Sequence, residues 1–194
     1  MKNIRSVLAL TLTLATLPSW AGWKLEPELS SVDFVSVKKE HIAETHHFKK
    51  LTGAISDSGK LMVNIDLASV ETGIGIRNER MQNMLFEVAE FQKAVLSSDV
   101  SEVLAELTKD GSSKQLITTQ QATLVLHGKK QAIEVKLLLT FDGNNKVTAS
   151  VITPILIHAK DFDLEAGVIA LQEIAGLSGI TKTVPVTANL VFKK

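Results

Sequence analysis

"AIEVKLLLTFDGNN", residues 132–145, carries the pattern on which the fold turns. Ile133, Val135, Leu137, Leu139 and Phe141 recur at every second position, Glu134, Lys136 and Thr140 stand between them, and Asp142-Gly143-Asn144-Asn145 closes the run. A period of two sends successive side chains to opposite faces, so this reads as a half-buried strand running into a turn. The same alternation recurs on both sides. Leu61, Val63, Ile65 and Leu67 oppose Asn64 and Asp66; Val184, Val186, Ala188, Leu190 and Phe192 form a C-terminal face. Pro185, on the opposite parity, predicts an edge or a bulge near the start of that last strand. Between 147 and 157 the odd positions Val147, Ala149, Val151, Ile155 and Ile157 are apolar and Ile152, Pro154 and Leu156 add a second apolar side.

Turn residues separate these runs at Ser56-Asp57-Ser58-Gly59, Asp110-Gly111-Ser112-Ser113 and His127-Gly128-Lys129, which makes antiparallel hairpins the economical reading. About eight strands result, roughly 30–37, 48–56, 60–68, 94–105, 115–127, 130–141, 146–158 and 183–192. The predicted fold is therefore mainly β, an eight-stranded antiparallel barrel. Closed, such a sheet has an interior just wide enough to be filled by side chains or to hold one small or slender ligand.

Two stretches break the meander. In "ETGIGIRNERMQNMLFEV", residues 71–88, Met81, Met84, Leu85 and Val88 fall at i, i+3, i+4, i+7, a helical stripe. "AGVIALQEIAGLSG", residues 166–179, is apolar nearly all round and reads as a short buried helix or a flap. Both are expected to cover the barrel. Arg77, four residues before Met81, is aimed from the same stripe at apolar surroundings and so needs a partner. A headgroup or phosphate at a barrel mouth would suit its planar donors; an ion pair with a carboxylate such as Asp66 or Asp161 is the structural alternative.

Residues 1–21 have the form of an export signal: Lys2 and Arg5, an apolar run from Val7 to Leu17, then Pro18 and Ser19-Trp20-Ala21. Cleavage is expected after Ala21, with a periplasmic destination and a single domain over 22–194. Lys+Arg and Asp+Glu number 21 each; losing Lys2 and Arg5 leaves 19 against 21, a net charge of about −2, which gives nucleic acid no purchase. The chain has no cysteine, so it carries neither disulfides nor thiolate metal sites, and its stability rests on its core.

Few residues suggest chemistry. His41, His46 and His47 lie close in sequence beside Glu40 and Glu44, yet adjacent His46 and His47 point to opposite faces of a strand and cannot share an ion there. His127 and His158 read as ordinary rim or loop residues. The sequence has no G-x-S-x-G, no dinucleotide fingerprint and no cysteine nucleophile. The pair Asp161 and Asp163 reads as solvated acids rather than a catalytic couple. No catalytic residue, metal or cofactor is expected.

Five segments, in order, resemble the YceI family of exported bacterial proteins. They are the opening Trp23, Leu25, Pro27, Ser30, Val32, Phe34; "IDLASVETG" at 65–73; "RNERMQNMLFEVAEFQKAVLSS" from Arg77; "ATLVLHGKKQAIEV" at 122–135; and "AKDFDL" from Ala159. The sequence departs from the family pattern at Asn78, usually Asp; Arg80, usually His; Gln92, often Pro; and Asp163, often Gly. The resemblance implies a lipocalin-like barrel that binds a long isoprenoid lipid, here a polyprenyl or quinone-type amphiphile. A membrane-embedded barrel is the poorer match: Tyr is absent and mid-strand outward positions are polar. A stress or structural protein with a filled core is the alternative, and pairing of two copies as a homodimer is left open.

From the apolar faces, the candidate lining comprises Phe34 and Ile65, then Met81, Met84 and Leu85 of the helix. Leu124, Leu126, Val135, Leu137 and Leu139 follow in the central hairpin, and Val151, Ile155 and Val186 near the C-terminus. Arg77 is the headgroup candidate. Long aliphatic side chains, with only seven Phe and no Tyr, suit a flexible hydrocarbon tail better than a flat aromatic cofactor.

Overall fold

The computed structural model describes residues 22–194; the expected leader, residues 1–21, lies outside the described residues. Twelve strand segments form one antiparallel sheet, and eight of them close a ring. In chain order the segments are β1 (Trp23–Leu25), β2 (Ser31–Lys38), β3 (Ile42–Phe48), β4 (Leu51–Ile55), β5 (Lys60–Asp66) and β6 (Val70–Glu71). After them come β7 (Lys93–Asp99), β8 (Ser113–Leu126), β9 (Lys129–Asp142), β10 (Lys146–Val151), β11 (Ile155–His158) and β12 (Thr183–Lys193). The ring runs β1-β4-β5-β7-β8-β9-β10-β12 and returns to β1.

The excess over eight comes from bends. β1 and β2 are halves of one strand, split by a 3-10 turn that Pro27 opens, and both pair with β12. β3 and β4 are likewise halves, split at Lys49–Lys50, whose backbone N–H groups are taken by the Ser69 carbonyl and hydroxyl. β6 continues β5, and β11 continues β10 past Pro154. These bends explain why β1 and most of β3 escaped the alternation: short or polar halves carry too little periodicity to register.

The central hairpin is the longest element. β8 and β9 pair over fourteen residues each, from Ser113↔Asp142 to Leu126↔Lys129. Its two-residue loop has both φ angles positive, 49° at His127 and 72° at Gly128, the mirror-image turn whose twist matches the strands.

One expectation is corrected. The strand placed at 94–105 ends at Asp99, and residues 101–108 form a helix, α2 (Ser101–Thr108). Asp99 stops the strand because its carboxylate accepts the Ser101 N–H at 3.1 Å and hydroxyl at 2.7 Å. Leu107, fully buried, then plugs that end of the barrel together with Trp23 and Phe141, whose rings meet edge to face at 6.2 Å. The described residues thus hold one helical cover more than the one or two expected, and both barrel ends are capped.

The opposite end is covered by α1 (Gly75–Arg80), a π-helical turn over Met81–Leu85, and α3 (Glu165–Ile174). The π turn is closed by the Phe86 N–H reaching the Met81 carbonyl at 2.9 Å. Its wider pitch moves the inward face from Met84 and Leu85, where regular spacing puts it, to Leu85 and Phe86. The core divides accordingly into a cluster beneath this lid, with Phe34, Met81, Phe86 and Phe162, and one above α2. No helix among the described residues is long and apolar enough to cross a membrane.

Candidate functional site

Between the two clusters the barrel is hollow. A chamber of ≈ 180 Å³ lies beneath the lid, walled by aliphatic and Phe side chains with Thr181 and Lys182 at its edge. A second, of ≈ 100 Å³, lies above α2. Leu96, Ile155, Ala188 and Leu190 border both, so the two are stacked along one tunnel. The upper chamber alone exceeds the roughly 150 Å³ of an engineered apolar void that stays dry and takes up benzene. At about 24 cal/mol per Å³, a fully enclosed void of that size would cost on the order of 4 kcal/mol, which sets the upper bound for this chamber.

Eleven of the thirteen expected lining residues border a chamber. Phe34, Ile65, Leu85, Leu124, Leu126 and Val186 border the upper one, Val135, Leu137, Leu139 and Val151 the lower, and Ile155 both. Met81 is buried beside the upper chamber without facing it, and Met84 stands off it, both consequences of the π turn. Sequence reading missed Phe86, Leu164 and Val168, which the lid contributes to the upper wall.

The wall changes character at the lid end. On β2 the inward positions run Val32, Phe34, Ser36, Lys38; on β3 they run Phe48, His46, Glu44. Ser36 Oγ and His46 Nε2 are 2.8 Å apart. Glu44 Oε2 accepts from Lys38 Nζ at 2.6 Å and from Arg77 Nη1 at 2.9 Å, and Arg77 Nη2 donates to the Thr72 carbonyl at 2.5 Å. The carboxylate partner of Arg77 is thus Glu44, neither Asp66 nor Asp161. The Lys38 hydrogen bond, aided by Arg77, holds the Glu44 carboxyl below its ordinary pKa. Burial, with Arg77 nearby, pushes the His46 imidazole down. His46 Nδ1 and Arg77 Nε are both buried with no hydrogen-bond partner among the described residues; such an orphan ordinarily costs ~1–3 kcal/mol.

The Ser36–His46 contact has the form of a catalytic dyad but lacks its third member. Nothing orients Nδ1, and burial weakens the imidazole as a base. His46 is buried and His47 exposed on opposite faces of β3, and no group of three potential metal ligands converges among the described residues. His127 is buried rather than at a rim. Its Nε2 lies 2.8 Å from Glu87 Oε2 and its Nδ1 donates to the Phe162 carbonyl at 3.2 Å, tying the helical lid to the β8–β9 turn and the 159–162 turn.

A capped antiparallel barrel around an aliphatic tunnel with a polar end defines a calyx-type binding protein. A profile of the YceI-like domain matches residues 23–192, and the chain belongs to that family. It is similar to a polyisoprenoid binding domain from Saccharophagus degradans implicated in plant cell wall breakdown, at 37% identity over 88% of this chain and 97% of that one, with a TM-score of 0.84. Burkholderia cenocepacia BcnA shares the fold at 16% identity, over 86% and 98% of the two chains, with a TM-score of 0.64. A comparison with curated proteins returned no match.

Proposed function

We propose that this chain binds the hydrocarbon tail of a long isoprenoid amphiphile in its barrel, and carries or stores it in the periplasm. The observation behind the reading is the two-chamber aliphatic tunnel. Burying a tail there gains about 25 cal/mol per Å² of apolar surface removed from water. It also fills space whose emptiness is costly. The Saccharophagus degradans relative, a polyisoprenoid binding domain at 37% identity, supports an isoprenoid over a fatty chain. The apolar wall and the incomplete Ser36–His46 dyad support binding without turnover.

Organic extraction of the purified full-length product, followed by mass spectrometry, tests the reading: a polyprenyl or quinone-type species is expected, and repeated recovery of none would refute it. Leu137→Glu or Val151→Glu, each placing a carboxylate in the lower chamber, should abolish retention in protein that still folds. Export is tested separately. Protein from the periplasmic fraction should begin at Gly22.

A further inference from the structure

The barrel wall is interrupted on one side. β9 and β10 stay paired as far as Leu137 and Val151, and the Ile152 N–H still reaches the Lys136 carbonyl at 3.0 Å. Past Pro154 the two lines part: the rest of β9 is paired only with β8, and β11 only with β12. They are tied again at the lid end, where Gln131 Nε2 donates to the Asp161 carbonyl at 2.9 Å. Leu156 lies opposite Pro185, which has no N–H, so Ile155 and Ile157 carry the rungs to β12 and the main-chain groups of Leu156 turn toward β9. Ala132 and Glu134, in step with Lys136, turn theirs toward β11. Neither edge has a ladder partner there among the described residues. On its far side the same ribbon is loose as well, since β12 is unpaired with β2 between the Phe34–Val186 pair and the Thr181–Val37 hydrogen bond. This is the part of the wall that gives most easily.

Open space lies on both sides of the slot. Outside it is a groove of ≈ 300 Å³ between residues 131–134 and 154–158, closed at one end by Asp161 and Phe162. Ile133, Ile155 and Ile157 line this groove and also border the upper chamber. Three side chains, with no ladder between their strands, therefore separate the tunnel from the outside. Beside the slot stand Ile152, 42% exposed, Pro154, also exposed, and Leu156, 58% exposed. Apolar surface thus continues from the chamber wall through the slot to the outer face. Around it Lys130 and Lys136 flank Glu134, and Lys160 adjoins Asp161, while Lys129 and Asp163 pair with each other. Cations are in excess by one.

A hydrocarbon tail crosses water poorly, so whatever gives or takes it must bring apolar matter to the opening. A folded protein would need a matching passage of its own. A bilayer offers its acyl region directly, and anionic head groups suit the surplus lysine.

We propose that the β9–β11 slot is a side port, and that Ile152, Pro154 and Leu156 seat it on an anionic lipid bilayer, so that a tail passes between membrane and upper chamber without entering water. The port rests on the tail-binding reading above, and the two separate experimentally.

Transfer of a fluorescent geranylgeraniol from loaded protein to vesicles of phosphatidylethanolamine and phosphatidylglycerol, followed by stopped flow, tests it. The rate should rise in proportion to vesicle concentration, and should be lower for vesicles of phosphatidylcholine alone. Ile152→Ser with Leu156→Ser, both exposed positions, should slow transfer by about tenfold while equilibrium loading stays within about twofold. The chain has no cysteine of its own. Ala132→Cys with Leu156→Cys, joined across the slot by a short bismaleimide, should therefore slow transfer by about tenfold relative to the same variant left unjoined. A rate independent of vesicle concentration overturns the docking surface. A rate that rises with vesicle concentration but is unchanged by the serine variant and by the bridge overturns the port, with tail binding intact. Failure of the native protein to take up the probe at all overturns the tail reading and the port together.

Discussion

Asn78 shows how a single atom changes what its neighbours can do. Its Oδ1 accepts the Thr72 N–H at 2.9 Å and hydroxyl at 2.6 Å, and its Nδ2 donates to Glu71 at 3.1 Å. The family's usual Asp could accept from Thr72 equally well but would set a second carboxylate against Glu71. With Lys49, then Asn78 and the Gly73 N–H as its donors, Glu71 is held down to about 2. A depressed carboxyl stabilises the fold above its unfolded value, near 4.5, and that contribution is lost as pH falls from there toward about 2. Asn78→Asp is expected to lower Tm at pH 7 by roughly 2–4 °C, the equivalent of one lost hydrogen bond in a domain this size. The deficit should shrink in acid as the paired carboxylates protonate, which thermal melts of both proteins from pH 7 to 3 would measure. Asp163, another departure, has φ of 59°, a left-handed conformation that accounts for the family's common Gly.

At the scale of elements, the lid is fitted to its neighbour by a glycine. A Cβ on Gly167 of α3 would stand 2.6 Å from the Met84 carbonyl oxygen and 2.8 Å from Leu85 Cα, both backbone of the π turn. Ala usually favours a helix over Gly by about 1 kcal/mol. Here overpacking of ~1–3 kcal/mol outweighs it, so Gly167→Ala should lower the urea midpoint and loosen retention of any tail beneath. Long, alternating elements were legible: the strands expected at 115–127 and 130–141 lie at 113–126 and 129–142. α2 was not, because Ala94, Leu96, Val100 and Leu104 keep strand parity across its start. The competing stripe Val100, Val103, Leu104, Leu107 was present, and the turn closed by Ser101 on the Asp99 carboxylate decides between them. Glu44 and His46 were weighed only as metal ligands, and their place on the inner wall was missed for a related reason. A second strand started at 48 gives residues 44 and 46 no face, whereas β3 beginning at Ile42 lines them up with Phe48. The Arg77–Glu44 pair spans 33 residues and leaves no periodic trace at all.

For the molecule as a whole, the barrel's volume is its least designed-looking property by the standards of a core and the most useful by those of a container. Ala188, bordering both chambers, is the small residue that keeps them joined. Ala188→Leu should raise the stability of ligand-free protein by about 1 kcal/mol through filling, while excluding tails long enough to need both chambers. Denaturant midpoints before and after extraction would show the gain, and mass spectrometry the shortened or absent cargo. The tunnel could be anticipated from the apolar faces, but its emptiness could not, since the same residues, differently staggered, would have met in the middle.

The ladder between β2 and β12 is uneven. Phe34 pairs with Val186, and pairing resumes where the Thr181 N–H meets the Val37 carbonyl at 2.9 Å, so that four residues, 182–185, span what two, Val35 and Ser36, span opposite. One of the four is Pro185, which brings no N–H, while Lys182 and Val184 stand against the upper chamber. A seam with that many missing rungs parts more readily than any stretch of the β8–β9 zipper. Breathing of a few residues there would let a slender guest slip in sideways, with the end caps left in place.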